Sequence, residues 1–125
     1  MTIEYGVLID KHGNVYSYQG TEYNLSITDR DLNEVILTHN HPEVASFGKD
    51  DFELLKNNSN IKELRAVDSK YDYNLSLLKE IDITYNEIYI EGSQLAFETG
   101  DEIQHCVMEK LKEKGYIKYE RRRKK

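Results

Sequence analysis

Short strand-like apolar runs, broken by polar stretches and one short helical segment, give way to helical spacing of apolar positions after about residue 77. Ile3 to Ile9 alternates weakly and is rich in β-formers, which predicts a strand. Asp10-Lys11-His12-Gly13-Asn14 follows as a turn, with Gly13 free to take positive φ. Val15 to Tyr18 returns, so residues 3–18 predict a hairpin. The polar stretch 20–33 holds a short strand at Tyr23–Ile27 and a turn at Thr28-Asp29-Arg30-Asp31. Glu34 to Thr38 predicts a strand buried on both faces, since Val35-Ile36-Leu37 is an unbroken apolar run. Asn40 to Gly48 reads as a loop, because Pro42 lacks the N–H a central ladder needs.

Lys49 to Lys56 predicts a short helix with Phe52 and Leu55 on one face, ended by Asn57-Asn58-Ser59-Asn60. Ile61–Val67 and Tyr71–Leu75, joined by Asp68-Ser69-Lys70, form a second hairpin. From Leu77 onward, Ile81, Tyr85, Ile88, Gly92 and Leu95 fall at steps of four and three, which favours a helix over the strand that Glu87–Glu91 could make alone. Thr99-Gly100-Asp101 punctuates. Glu102 to Lys114 is the clearest helix, with Ile103, Val107 and Leu111 four apart and Gly115 as its stop. Tyr116 to Tyr119 reads as a short extended segment. The fold class is α/β in the α+β sense: a mainly antiparallel sheet with packed helices, two of them C-terminal.

Length and composition narrow the picture. The 125 residues make one domain, residues 1–119, with a basic tail at 120–125. No apolar run approaches the ~18 residues of a membrane span, and no secretory signal is visible, so the expected location is cytoplasmic. The single cysteine, Cys106, leaves no intramolecular disulfide framework. The net charge of −6 conceals an asymmetry: residues 118–125 carry +5 and the remainder −11. An acidic body repels phosphates, so nucleic acid is expected only through the tail, which otherwise reads as a solvated, frayed terminus. Ten tyrosines and no tryptophan suit half-buried sheet positions.

The chemistry gathers at Thr38-His39-Asn40-His41-Pro42. A strand ending in His-x-His puts both imidazoles on one face, because side chains alternate. Asp51 lies in the first turn of the next helix, where a carboxylate is favoured by the helix dipole. Two imidazoles, a carboxylate and a water complete a tetrahedral zinc site, and zinc brings the pKa of such a water to about 7. Glu4, on the first strand, is the candidate for taking and returning the proton. The plainer account makes Asp51 a helix N-terminal charge and the histidines corner-forming hydrogen-bond partners. His12 reads as a solvated turn residue, and His105 and Cys106 as structural or surface residues of the last helix.

Thr38-His39-Asn40-His41-Pro42, Ser46-Phe47-Gly48 and Asp51-Phe52 together resemble the Thr-His-Asn-His-Pro…Ser-Phe-Ser-x-x-Asp-Leu signature of small domains in phage head-morphogenesis (minor capsid) proteins and related phage proteins. That signature is similar to the JAMM/MPN metalloenzyme motif, Glu…His-x-His-Pro…Ser-x-x-Asp. Weaker likenesses at Glu4–Val15 and Glu63–Tyr73 extend the resemblance over about residues 3–78, with a helical part at 79–115 beyond it. It implies zinc held by His39, His41 and Asp51, Glu4 as general acid/base, and peptide or isopeptide hydrolysis. Asp50 fits the ligand position less well by one residue. Gly48 stands where the family places an oxyanion-stabilising serine, which removes a hydroxyl donor from that position. The resemblance therefore implies a metalloprotease-like metal-binding protein, or a non-catalytic phage accessory protein on the same fold. The second would act by protein–protein interaction, in head assembly or as a small acidic anti-defence inhibitor of a host nuclease. A nuclease reading of His39-Asn40-His41 is disfavoured, because an HNH nuclease spreads those residues over a ββα unit.

Overall fold

The computed structural model describes residues 4–9, 12–13, 15–20, 36–40, 44–58 and 61–124, with the backbone alone at 4–8, 15–20 and 37–39. The predicted strand at Tyr23–Ile27, the turn after it, and His41-Pro42 lie outside the described residues.

Strands β1 (Glu4–Ile9) and β2 (Val15–Gly20) form the first hairpin, with Gly13 at φ 85° in its turn. Strand β3 (Ile36–Asn40) pairs antiparallel with β1 on one side and parallel with β4 (Glu63–Val67) on the other. Helix α1 (Lys49–Asn57) makes that crossover. A parallel pair needs such a connection, because the chain must return to the starting end before the second strand begins. Strand β5 (Tyr71–Leu77) closes the second hairpin, and β6 (Ile117–Arg123) pairs antiparallel with it. The described sheet has the order β2-β1-β3-β4-β5-β6. One parallel pair among antiparallel ones, with helices packed on it, is the expected α+β class.

The core lies between the helices and one sheet face. Leu64, Ala66, Tyr73, Leu75, Ile117 and Tyr119 supply that face, and Phe47, Phe52, Leu55, Ile88, Val107, Met108 and Leu111 cover it. Helices α2 (Tyr85–Thr99) and α3 (Ile103–Glu113) lie against each other. Their closest approach is at Gly92, where an added Cβ would meet Val107 Cγ2 at 2.5 Å and its backbone Cα and N at 2.9 Å.

Two expectations are corrected. The helix predicted from Leu77 begins at Tyr85. Thr84 and Glu87 form a capping box: Glu87 N–H donates to Thr84 Oγ1 at 3.2 Å, and Thr84 N–H donates to Glu87 Oε1 at 3.2 Å. Ile81, counted as helical, is buried in the connection before it. The second correction concerns the basic terminus. Residues 120–123 are not frayed but form the second half of β6, because the alternation of Ile117 and Tyr119 continues to Arg121. Arg121 makes a bidentate pair with Asp101 at 3.0 and 3.1 Å and lies 4.5 Å from the Tyr71 ring centre.

Gly92→Ala gains helix propensity but forces α2 off α3. Its expected net cost is about 1–3 kcal/mol, read as a lower urea midpoint with an unchanged slope.

Candidate metal centre

The crossover determines toward which end of the sheet the candidate positions lie. The chain leaves the C-terminal end of β3, so the N-terminus of α1 begins near that end. Antiparallel β1 starts there too. Glu4 at the start of β1, His39 near the end of β3 and Asp51 in the first turn of α1 therefore come to the same end of the sheet. In α/β folds the carboxyl ends of parallel strands are where ligands bind.

Register refines this. Gly6, His39, Ala66, Tyr73 and Arg121 are successive partners in one row across the sheet. Residues in one row share a face, and Ala66 and Tyr73 are buried on the helix-covered face. Position 39 therefore belongs to the face that α1 covers. Position 4, two residues from Gly6, belongs to it as well. His41 lies outside the described residues.

Asp51 is 5 % exposed, whereas Asp50 is exposed. Asp51 Oδ2 accepts the Gly48 N–H at 3.1 Å. This is half of a capping box, since Gly48 has no side chain to return the bond. The Oδ1 atom is also enclosed by protein. The backbone N–H and the helical turn orient this carboxylate, which is the kind of support a ligating carboxylate needs. Among the described residues no three histidine, cysteine, aspartate or glutamate side chains gather as a metal cluster.

The segment after Pro42 is clamped by side chains from distant elements. Ala45 N–H donates to Asp68 Oδ2 at 3.2 Å, and Ser46 N–H donates to Glu102 Oε1 at 2.7 Å. Ser46 Oγ and His105 Nδ1 each lie 2.7 Å from Tyr119 OH, giving a buried Ser46–Tyr119–His105 chain. Phe47 fills the space between the Tyr73 and Tyr119 rings, both met edge-on. Glu102 also caps α3 through Gln104 N–H and His105 N–H. The Gln104 side chain reaches the Gly48 slot: a Cβ there would lie 3.1 Å from Gln104 Nε2.

These anchors have perturbed acidities. Burial opposes the charged form of Asp68, yet bonds from Tyr73 OH at 2.5 Å and from the Lys70, Tyr71 and Ala45 N–H groups outweigh it. The Asp68 pKa therefore lies below the ordinary carboxylate value. Burial, then Arg121, lowers the pKa of His105 against Asp101, Glu109 and Glu102. Burial raises that of the Tyr119 phenol and that of the Cys106 thiol.

Of the sequence candidates, Asp51 is buried and Asp50 exposed, and the strand register sets positions 4 and 39 on the helix-covered face. His12 is an exposed turn residue and His105 a structural one, as expected. Asp68, Glu102, Gln104 and Tyr119 were missed. Asp68 and Glu102 carried a local signal as turn and cap residues, but nothing local showed that both reach residues 45–46. No family model matches this chain, and neither the curated proteins nor the solved structures contain a match.

Asp68→Ala is expected to cost about 3 kcal/mol, because it strips acceptors from three backbone N–H groups and a buried tyrosine. Since the folded pKa of Asp68 is depressed, its contribution is complete above the unfolded value near 3.8 and is lost as pH falls through the lower folded value. Denaturant titrations of both proteins across that range should show a shallower acid limb for the variant.

Proposed function

We propose that this chain is a JAMM-like metal-binding protein of phage type, holding zinc through His39, His41 and Asp51, with Glu4 as its proton carrier. The observation that carries the reading is the buried, N–H-oriented Asp51 carboxylate at the end of the sheet where β3 finishes and β1 begins. Neutral imidazoles and a carboxylate are the donor set of hydrolytic zinc sites. The ion, when bound, supplies a water acidified to about pKa 7. Glu4 is the residue of this chain that would accept that proton and return it to a leaving amine, for a peptide or isopeptide substrate.

A second reading, a non-catalytic interaction protein on the same fold, is favoured by one observation. The slot for an oxyanion-stabilising hydroxyl is Gly48, and the Gln104 amide lies against it. On this reading the His39–His41–Asp51 centre holds the corner together rather than turning over substrate.

Elemental analysis of the purified chain should find about one zinc per molecule. His39→Ala and His41→Ala should each weaken zinc binding by at least tenfold. Asp51→Asn keeps an oxygen for the Gly48 N–H, so it should spare the fold and still lower zinc affinity. A chain that takes up no zinc, or binds it equally well without these side chains, overturns the proposal.

The two readings separate at Gly48→Ser. Gln104 is flexible enough to yield a few tenths of an ångström, and serine caps a helix at least as well as glycine, so stability should change by no more than about 0.5 kcal/mol. Peptide and isopeptide cleavage that rises about a hundredfold in the variant identifies a hydrolase lacking one donor. Zinc-loaded chains inactive in both forms identify the interaction protein.

A further inference from the structure

Helix α2 has two apolar faces. Ile88 and Gly92 are buried on one, against α3. On the opposite side Phe97 is 91 % and Ile90 69 % exposed. They stand seven residues apart, two turns along one stripe, about 10 Å between them. A lone exposed apolar residue needs no explanation; here two large ones share the solvent pole of one helix.

The flanks of the stripe differ. One carries Glu87, Glu91, Gln94 and Glu98; the other carries Asn86, Tyr89 and Ser93. The helix has three acidic residues and no lysine or arginine. Beside the acidic flank, Glu91, Gln94, Leu95, Glu98 and Lys110 line a groove of about 170 Å³ between α2 and α3. Glu91 is paired with Lys114 at 3.0 Å, which leaves Glu87 and Glu98 to set the sign of the flank.

We infer that this face of α2 docks a basic amphipathic helix of another protein, with apolar side chains on Ile90 and Phe97 and lysine or arginine along the Glu87–Glu98 flank. Charge selects this occupant. A second copy packed antiparallel about a two-fold axis would bring the acidic flank against itself. An anionic membrane would meet Glu87 and Glu98 on the same flank. A basic helix satisfies both the stripe and the flank, and an apolar pair supplies the anchors while charge sets orientation and on-rate. The face does not involve the candidate metal centre, and the two readings stand or fall separately.

The test uses the full 125-residue chain and synthetic helical peptides, with leucines at i, i+3 and i+7 and lysines on one flank. Calorimetry should give micromolar-range binding that weakens as salt rises from about 50 to about 300 mM. Phe97→Ser and Ile90→Ser leave the net charge unchanged and touch no core contact. Each should weaken binding by about tenfold or more. The His39→Ala/His41→Ala double variant should bind as wild type, which separates this inference from the metal reading. Equal binding by the Phe97→Ser variant, or by a peptide with glutamate in place of lysine, overturns the proposal. So does no binding at about 1 mM peptide. Self-association abolished by Phe97→Glu overturns it in favour of a second copy. Flotation with phosphatidylcholine–phosphatidylserine vesicles that depends on Phe97 overturns it in favour of a membrane.

Discussion

The parallel pairing of β3 with β4 governs the rest of this structure. Two consecutive strands can run parallel only if the chain between them crosses back, and here α1 is that crossing. The start of α1 is thereby held at the end of β3. Asp51 is brought to the His39 end of the sheet by this geometry, across a loop and a change of element. Antiparallel pairing of β1 with β3 brings Glu4 to the same end. Strand directions alone thus bring these positions toward one end of the sheet.

The corner is held by polar groups from elsewhere in the chain. Asp68, at the end of β4, and Glu102, at the start of α3, each collect several N–H donors and each extend one oxygen to the segment after Pro42. The Ser46–Tyr119–His105 chain adds a third tie, to β6 and α3. A loop without its own ladder has backbone groups to satisfy, and buried acceptors satisfy them at fixed positions. This rigid support has a physical use for a ligand set, which tolerates little displacement. It also couples the proposed centre to the C-terminal half of the chain, although the family resemblance covers only about residues 3–78.

That half has its own logic. Gly92 allows α2 and α3 to approach closely, and their far ends leave opposite impressions on the surface. At one, Asp101 anchors Arg121 and draws the basic run into the sheet. On the outer side of α2, Ile90 and Phe97 remain in solvent beside an acidic flank. The C-terminal part of the chain thus presents a basic strand and, separately, a helix whose only charges are acidic. Neither is a free tail.

The sequence by itself determined β1 to β5, the two hairpins, α1 and α3, and hence the class. These depend on local period and turn chemistry: alternation in β1, β4 and β5, four-residue spacing at Ile103, Val107 and Leu111, and glycines at 13, 100 and 115. It also offered Glu4, His39, His41 and Asp51 as candidates, because metal-ligand residue types at a strand end and a helix start are a local signal. Periodicity did not reveal that Thr84 and Glu87 start α2, since Ile81 kept the same spacing while lying outside the helix. Composition misread the terminus, since a run of arginines looks solvated until Asp101 and Tyr71 are beside it. Only tertiary structure decided which residues reach the corner after Pro42. Asp68, Glu102, Gln104 and Tyr119 are 23 to 73 residues from their partners or lie on other elements, and such separations are set by strand order and helix packing, which leave no mark on neighbouring positions.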